Sequence, residues 1–366
     1  MGYVAVRGGE DAIRKSEALL EAFRRREGHA AIQVAQIREQ MRLAVDRVMA
    51  EGSLYDPTLA ALAIKQAEGD MVEAAFLLRA YRSTLPRVQT TPALRPAAMR
   101  LIRRISAAFK DIPGGQILGP TRDYTQRLLD FSLLEEEPTA VAELPLASSE
   151  RTNGAAPPER VSNYLRREGL LPEPAGDVEP PVDITRDAVA FPMPRSARLQ
   201  ALARGEEGAL LALAYSSMRG FGNVHPTVAE LRVGYLAVQV AIPGVETPVT
   251  IGEILVTEVE MITRWDADDA EGKAGVQFSL GYGFAFGHNE RRAISMAILD
   301  RAMQATSPQA PAEDQEFVIQ HIDGIEAQGF TNHWKLPHYV DFQSELDRLR
   351  AKRQAASSTA RAEVGR

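Results

Sequence analysis

The chain of 366 residues contains no cysteine. A disulfide scaffold, a thiolate zinc site and an iron–sulfur cluster held by this chain alone are therefore excluded. It has no apolar run of about eighteen residues, so no membrane span is expected. An excess of positive charge is missing too: 42 Lys and Arg stand against 49 Asp and Glu, for a formal net charge of −7. That argues against a dedicated nucleic-acid binder, but not against a local anion site. The opening residues MGYVAVRGGEDAIRK lack the apolar core of a signal peptide. Val6 stands where a myristoylation signal needs Ser or Thr. The cytoplasm is the expected compartment. No P-loop, serine-nucleophile elbow or kinase signature set occurs.

What is present describes an ordinary globular chain, 45% hydrophobic and 25% charged. A short strand is expected at Tyr3–Val6. Val34, Ile37, Met41, Val45 and Val48 follow helical spacing. Asp56 before Pro57, and Asp70 with Glu73 three residues on, mark two helix starts. Another helix is expected from Met99 to Phe109. It is followed by a Gly/Pro-rich loop that enters a helix near Arg122. Pro, Glu, Ala and Ser dominate from Leu134 to Val182, which reads as a linker or surface insertion with one helix at Arg160–Glu168. A helix at Leu199–Ser216 comes next. Leu231–Ile242, Pro248–Trp265 and Val276–Gly287 read as strands, with connections too short for parallel crossovers. Helices follow at His288–Gln304, with Asn289 as its N-cap, at Asp314–Gln328 and from Asp341, before a frayed tail from Ala351.

The class expected is α+β: a mainly helical N-terminal part, and a C-terminal part with antiparallel strands flanked by helices. The boundaries expected are a helical domain at 1–133, a linker or insertion at 134–182, an α+β domain at 183–345 and a tail at 346–366.

Several stretches carry chemical possibilities. His333 and His338, in GFTNHWKLPHYVDF, are two of only six histidines. Five residues of helix would splay them by about 140°, and a strand would put them on opposite faces. Pro337 bars a regular helix between them. A turn brings both imidazoles to one ion, yet two ligands do not complete a zinc site. The alternative is two ordinary, partly exposed histidines. The loop KDIPGGQILGPT, with Lys110, Gly114 and Gly115, lies just after Arg103 and Arg104. It reads either as a phosphate cradle or as a tight surface loop. GYGFAFGHNERRA ends a strand at a helix N-terminus, which offers N–H groups to an anion or simply packs closely. His225, in the polar loop SSMRGFGNVHP, reads as a structural residue more readily than as a base. Glu258 and Glu260 share a strand face, either as an acid–base pair or, more commonly, as solvated carboxylates.

Six long segments, taken together, resemble one family: YVAVRGGEDAI, AVDRVMAEG, ALAIKQAEGDMVEAAFLLRAYRSTL, RRISAAFKDIPGGQILGPTRDYTQRLLDF, GYGFAFGHNERRAISMAILDRA and GFTNHWKLPHYVDF. These look like the I subunit of the bacterial carbon–phosphorus lyase core complex. The likeness fades at Leu134–Val182 and in the last residues. It implies an enzyme subunit of phosphonate breakdown, which displaces adenine from ATP with an alkylphosphonate and releases purine from ATP or GTP when alone. The product implied is ribose 1-phosphonate 5-triphosphate. It also implies G, H and J partner subunits, with the iron–sulfur chemistry in J. The family's two zinc-ligating histidines fall on His333 and His338, with remaining ligands outside this chain. The resemblance gives no such role to His288, and it names neither the acid nor the phosphonate pocket. A non-catalytic scaffold, completing a partner's metal-containing site, is the alternative.

Overall fold

The structure is a computed structural model, and it describes residues 9–125, 127–135, 158–173, 181–221, 225–264 and 277–364. Its contacts divide the chain into two units: Val34–Ile325, and Met1–Gln33 together with Glu326–Arg366. The expected boundaries at 133/134 and 182/183 both fall inside the first of these. The expected strand at Tyr3–Val6 and most of 134–182 lie outside the described residues.

In the Val34–Ile325 unit, α2 (Val34–Gln40), α3 (Arg42–Gly52), α4 (Pro57–Gln66) and α5 (Met71–Thr84) pack around Val45, Val48, Met49, Ile64 and Leu78. The caps expected at Asp56 and Asp70 form. Asp56 accepts from the Thr58 and Leu59 N–H groups, both at 2.9 Å, and Asp70 accepts from Val72 and Glu73 at 2.9 and 3.1 Å. Where a helix was expected at Met99–Phe109, the chain instead forms strand β1 (Arg100–Ile105). The sequence RLIRRI suits either period. Pairing with β2 decides the matter, because it buries Arg103 and Arg104 beside carboxylates that lie distant in sequence. Among the described residues from Arg122 to Glu135 there is no α-helix, only a short 3-10 turn at Phe131–Glu135.

Next come α6 (Val161–Arg167), α7 (Arg195–Ala203) and α8 (Glu207–Met218). The single helix expected at Leu199–Ser216 is thus two, broken at Gly205. A Cβ at Gly205 would lie 3.2 Å from Ile322 and Leu210 side-chain atoms. Strands β2 (Thr227–Val240), β3 (Val249–Arg264) and β4 (Phe278–Phe286) follow β1 in an antiparallel sheet of order β1-β2-β3-β4.

Leu231 and Val233 of β2, Val259 and Met261 of β3 and Ala285 of β4 form the main core with α9 (Glu290–Ala302), α8 and α10 (Gln315–His321). Each large aliphatic side chain so buried contributes about 1.5–3 kcal/mol. Alternation along the strands sends Glu230, Arg232, Glu258 and Glu260 to the opposite face. Gly281 and Gly283 let α9 lie directly on β4: a Cβ at Gly283 would sit 2.8 Å from the Ala293 carbonyl carbon. A second expected helix is also divided. Asp314–Gln328 is not one helix but α10 and α11 (Gly324–His333). The terminal helix α12 runs Tyr339–Val364, so the tail is helical rather than frayed, in keeping with its Ala, Arg and Lys content. The remaining helix, α1 (Gly9–Phe23), has no buried residue. Among the described residues, no helix is long and apolar enough to cross a membrane.

Candidate functional site

In the terminal unit, His333 is the last residue of α11 and His338 immediately precedes α12. The chain turns between them through Trp334 and Lys335, and the Leu336 N–H donates to the His333 carbonyl at 2.9 Å. Pro337 sits where the helical run stops. The turn brings the two imidazole centroids to 5.1 Å. Trp334 stacks against His338 at 5.7 Å, and Phe330 lies 4.9 Å from His333. Each ring is oriented through Nδ1. That of His333 lies 2.6 Å from the Phe330 carbonyl, and that of His338 lies 2.6 Å from the Leu336 carbonyl. In the tautomer that donates to these carbonyls, both Nε2 atoms keep a free lone pair. This is the usual arrangement of a metal-ligating histidine. Among the described residues no group of three or more His, Asp or Glu gathers to complete such a site. The motif is also rimmed by exposed aromatics: Phe330 and Trp334 are each 63% exposed.

In the larger unit, the proposed phosphate loop is built otherwise than its glycines suggested. Arg104 is buried, pairs with Glu230 at 2.6 Å and donates to the carbonyls of Pro113, Gly115 and Glu159. The loop therefore wraps its carbonyls around Arg104. Gly114 and Gly115, at φ of 79° and 77°, supply the left-handed turns this needs. Lys110 is exposed. Arg103 is also buried. Its Nη2 donates to Asp123, and its Nε lies 2.8 Å from Glu290 Oε1, without hydrogen-bond alignment.

That ion pair leads to the junction of β4 and α9. Glu290 Oε1 lies 2.8 Å from His288 Nε2. The His288 N–H donates to Asp46 Oδ2 of α3 at 2.9 Å. Asn289 does not cap α9 with its side chain, as the sequence suggested. Its amide instead donates to the Asp46 and Phe286 carbonyls, while its own N–H donates to Thr257 Oγ1 at 3.0 Å. Burial raises the Asp46 pKa, opposed by the His288 N–H and by the charges of Arg42 and His288. A buried carboxyl whose pKa is raised, held by the backbone N–H of His288, is a candidate acid–base group. Asp46 stands out only in the structure. Its signal was a carboxylate beside Val45, in the apolar stripe of an amphipathic helix.

Glu258 and Glu260 are not solvated. Arg160 bridges them at 3.0 and 2.9 Å, Arg232 also donates to Glu258, and the Tyr282 hydroxyl donates to Glu258 at 2.9 Å. Burial, then the Glu258 charge, pushes the Tyr282 pKa well up. Burial works against the Arg160 charge, but Glu258 and Glu260 outweigh it and hold that pKa above the usual arginine value. With Arg104 and Glu230, these residues form a charge-balanced belt across the sheet, shut off by the start of α6. His225 is exposed, and neighbouring residues 222–224 lie outside those described.

Comparison with known proteins bears on the whole chain. The family model described as bacterial phosphonate metabolism protein (PhnI) matches residues 2–356. A Rhizobium meliloti (strain 1021) protein named alpha-D-ribose 1-methylphosphonate 5-triphosphate synthase subunit PhnI is 50% identical over 363 residues, covering 96% of this chain and 95% of the relative. The Escherichia coli (strain K12) protein of the same name is 50% identical over 359 residues, covering 96% and 98%. A Stutzerimonas stutzeri protein provisionally named as the C–P lyase subunit HtxH is 51% identical over 366 residues, covering 98% of both chains. With the family model and these relatives covering nearly the whole chain, the chain belongs to the PhnI family of bacterial phosphonate metabolism proteins.

Proposed function

We propose that this chain is an enzymatic subunit of a cytoplasmic carbon–phosphorus lyase core complex. It displaces adenine from ATP with an alkylphosphonate, giving ribose 1-phosphonate 5-triphosphate. The observation that carries the reading is near full-length identity of 50% to two proteins named as subunits of that synthase. Without partners, the same site hydrolyses ATP or GTP to the free purine. Partners of the G, H and J types complete the assembly in this reading, with the iron–sulfur chemistry in a partner, which agrees with the absence of cysteine here.

Breaking the bond from ribose C1′ to adenine N9 builds positive charge at C1′ and negative charge on the departing base. A proton donor must meet the base. Asp46, a buried carboxyl whose pKa burial raises and which accepts the His288 N–H, is the candidate donor. Triphosphate needs exposed cations, and Lys110 is the member of the basic loop that reaches solvent. Arg103 and Arg104 act behind it, by holding the loop and Glu290 in place. His333 and His338 would hold zinc through Nε2, with the other ligands supplied by a partner or substrate. Zinc there would polarise a phosphoryl or phosphonyl oxygen.

The test is adenine release. The purified complex is incubated with ATP and methylphosphonate, and free adenine and the ribosyl product are followed by chromatography. Product dependent on both substrates is expected. Absence of adenine from both the complex and the isolated chain would leave the scaffold reading, which the exposed aromatic rim of the histidine motif favours.

A further inference from the structure

Helix α7 starts against the usual electrostatic rule. The positive end of a helix favours acidic side chains and a capping oxygen. Here the cap position is Pro194, which makes no side-chain cap, and the first turn has no acidic residue. It carries two arginines instead, Arg195 and Arg198. Arg195 is bidentate to Asp300 of α9, at 3.0 and 2.6 Å. Asp300 also accepts the Tyr282 N–H at 2.9 Å, so both of its oxygens are engaged, and neither is bonded by Arg198. Arg198 is left over. It is 8% exposed, and its Nη1 reaches back past the helix start to the Met193 carbonyl at 2.8 Å. Its Nε is buried and has no hydrogen-bond partner among the described residues. Burial lowers the Arg198 pKa and Arg195 lowers it further, with only Asp300 opposing.

Two guanidiniums and a helix N-terminus thus share one carboxylate, leaving roughly one and a half positive charges unbalanced. Ser196, half-buried, lies between the arginines in sequence, and the Arg195 side chain is 47% exposed, so solutes reach the Arg195 end of the turn. We infer that the first turn of α7, with Arg195, Ser196 and Arg198, is an oxyanion site for a phosphoryl or phosphonyl group. A tetrahedral dianion matches the charge. It offers one oxygen to each arginine and one to the helix N–H groups. Nothing in this site requires ribosyl transfer, so it stands apart from the proposed reaction.

The test is calorimetric titration of the full chain, separately with inorganic phosphate, methylphosphonate and ATP. Arg198→Gln keeps a donor for Met193 and removes the charge. It weakens binding about tenfold, equivalent to about 1.4 kcal/mol. Ser196→Asp places a carboxylate in the site. It is expected to abolish binding and to melt no lower than the wild type, so that lost binding is not unfolding. Phosphate and methylphosphonate binding alike identifies a free oxyanion as the occupant. ATP binding alone, lost in both variants, identifies a nucleotide phosphate. No binding by the wild type, either variant binding as the wild type does, or a lower melting point for Ser196→Asp overturns the inference.

Discussion

Gly283→Ala tests how the site is held. Helix α9 carries Asn289 and Glu290 at its start and lies on β4 through Gly281 and Gly283. A Cβ at Gly283 would stand 2.8 Å from the Ala293 carbonyl carbon and 3.1 Å from its Cα, where ordinary contact is 3.4–4 Å. The colliding atoms are backbone, so no rotamer relieves them and the helix must move by more than half an ångström. Most of α9 is buried, including Met296, Ala297 and Leu299, so that movement disturbs the main core. Overpacking of this kind costs about 1–3 kcal/mol, and the backbone clash puts the variant at the upper end. For a unit of this size about 3 kcal/mol lowers the melting temperature by about 6–12 °C. Thermal and urea melts measure it, with the urea slope unchanged. Gly252→Ala is the control, because nothing lies within 4 Å of its added Cβ. It is expected to melt at or slightly above the wild type. If Gly283→Ala melts within about a degree of Gly252→Ala, the close helix–strand approach does not constrain the fold and the reasoning fails.

Arg160→Ala leaves buried Glu258 and Glu260 without their shared counter-charge and is expected to cost about 3–5 kcal/mol by urea melt. Adding Glu260→Gln to it recovers part of the loss, and no recovery would show that Arg160 does not act through that carboxylate. Burial raises the Asp46 pKa above 3.8, so its stabilising contribution is full below that pH and is lost as pH rises through the folded-state value. Asp46→Asn keeps an acceptor for the His288 N–H. It should therefore melt above the wild type at neutral pH, with the gap closing on acidification, while adenine release by the complex falls. A pH-independent gap refutes the burial argument. The His333→Ala/His338→Ala double variant of the purified complex is expected to lose its zinc by elemental analysis, and equal zinc in both proteins refutes ligation there.

Local chemistry was enough for much of the fold. Asp56 before Pro57, and Asp70 before an apolar periodic run, each name a helix start because the cap is made within three residues. β-Branched runs with short connections likewise give β2, β3 and β4 as antiparallel neighbours. Arg100–Ile105 escaped this reading, since its six residues suit a strand only when Leu231 to Tyr235 pair with them. Glu258 and Glu260 read as solvated because their partners Arg160 and Arg232 are far apart in sequence. Spacing and Pro337 fixed that His333 and His338 must meet through a turn if they meet at all. The sequence alone thus determined the family, the caps at Asp56 and Asp70, strands β2 to β4 and the shortage of metal ligands. Only the tertiary structure decided which charges are spent inside the protein and which are left for a ligand. Arg103, Arg104 and Arg198 are the same residue type on paper. The difference lies in where the carboxylates fall: beside Arg103 and Arg104, and already taken by Arg195 in the case of Arg198.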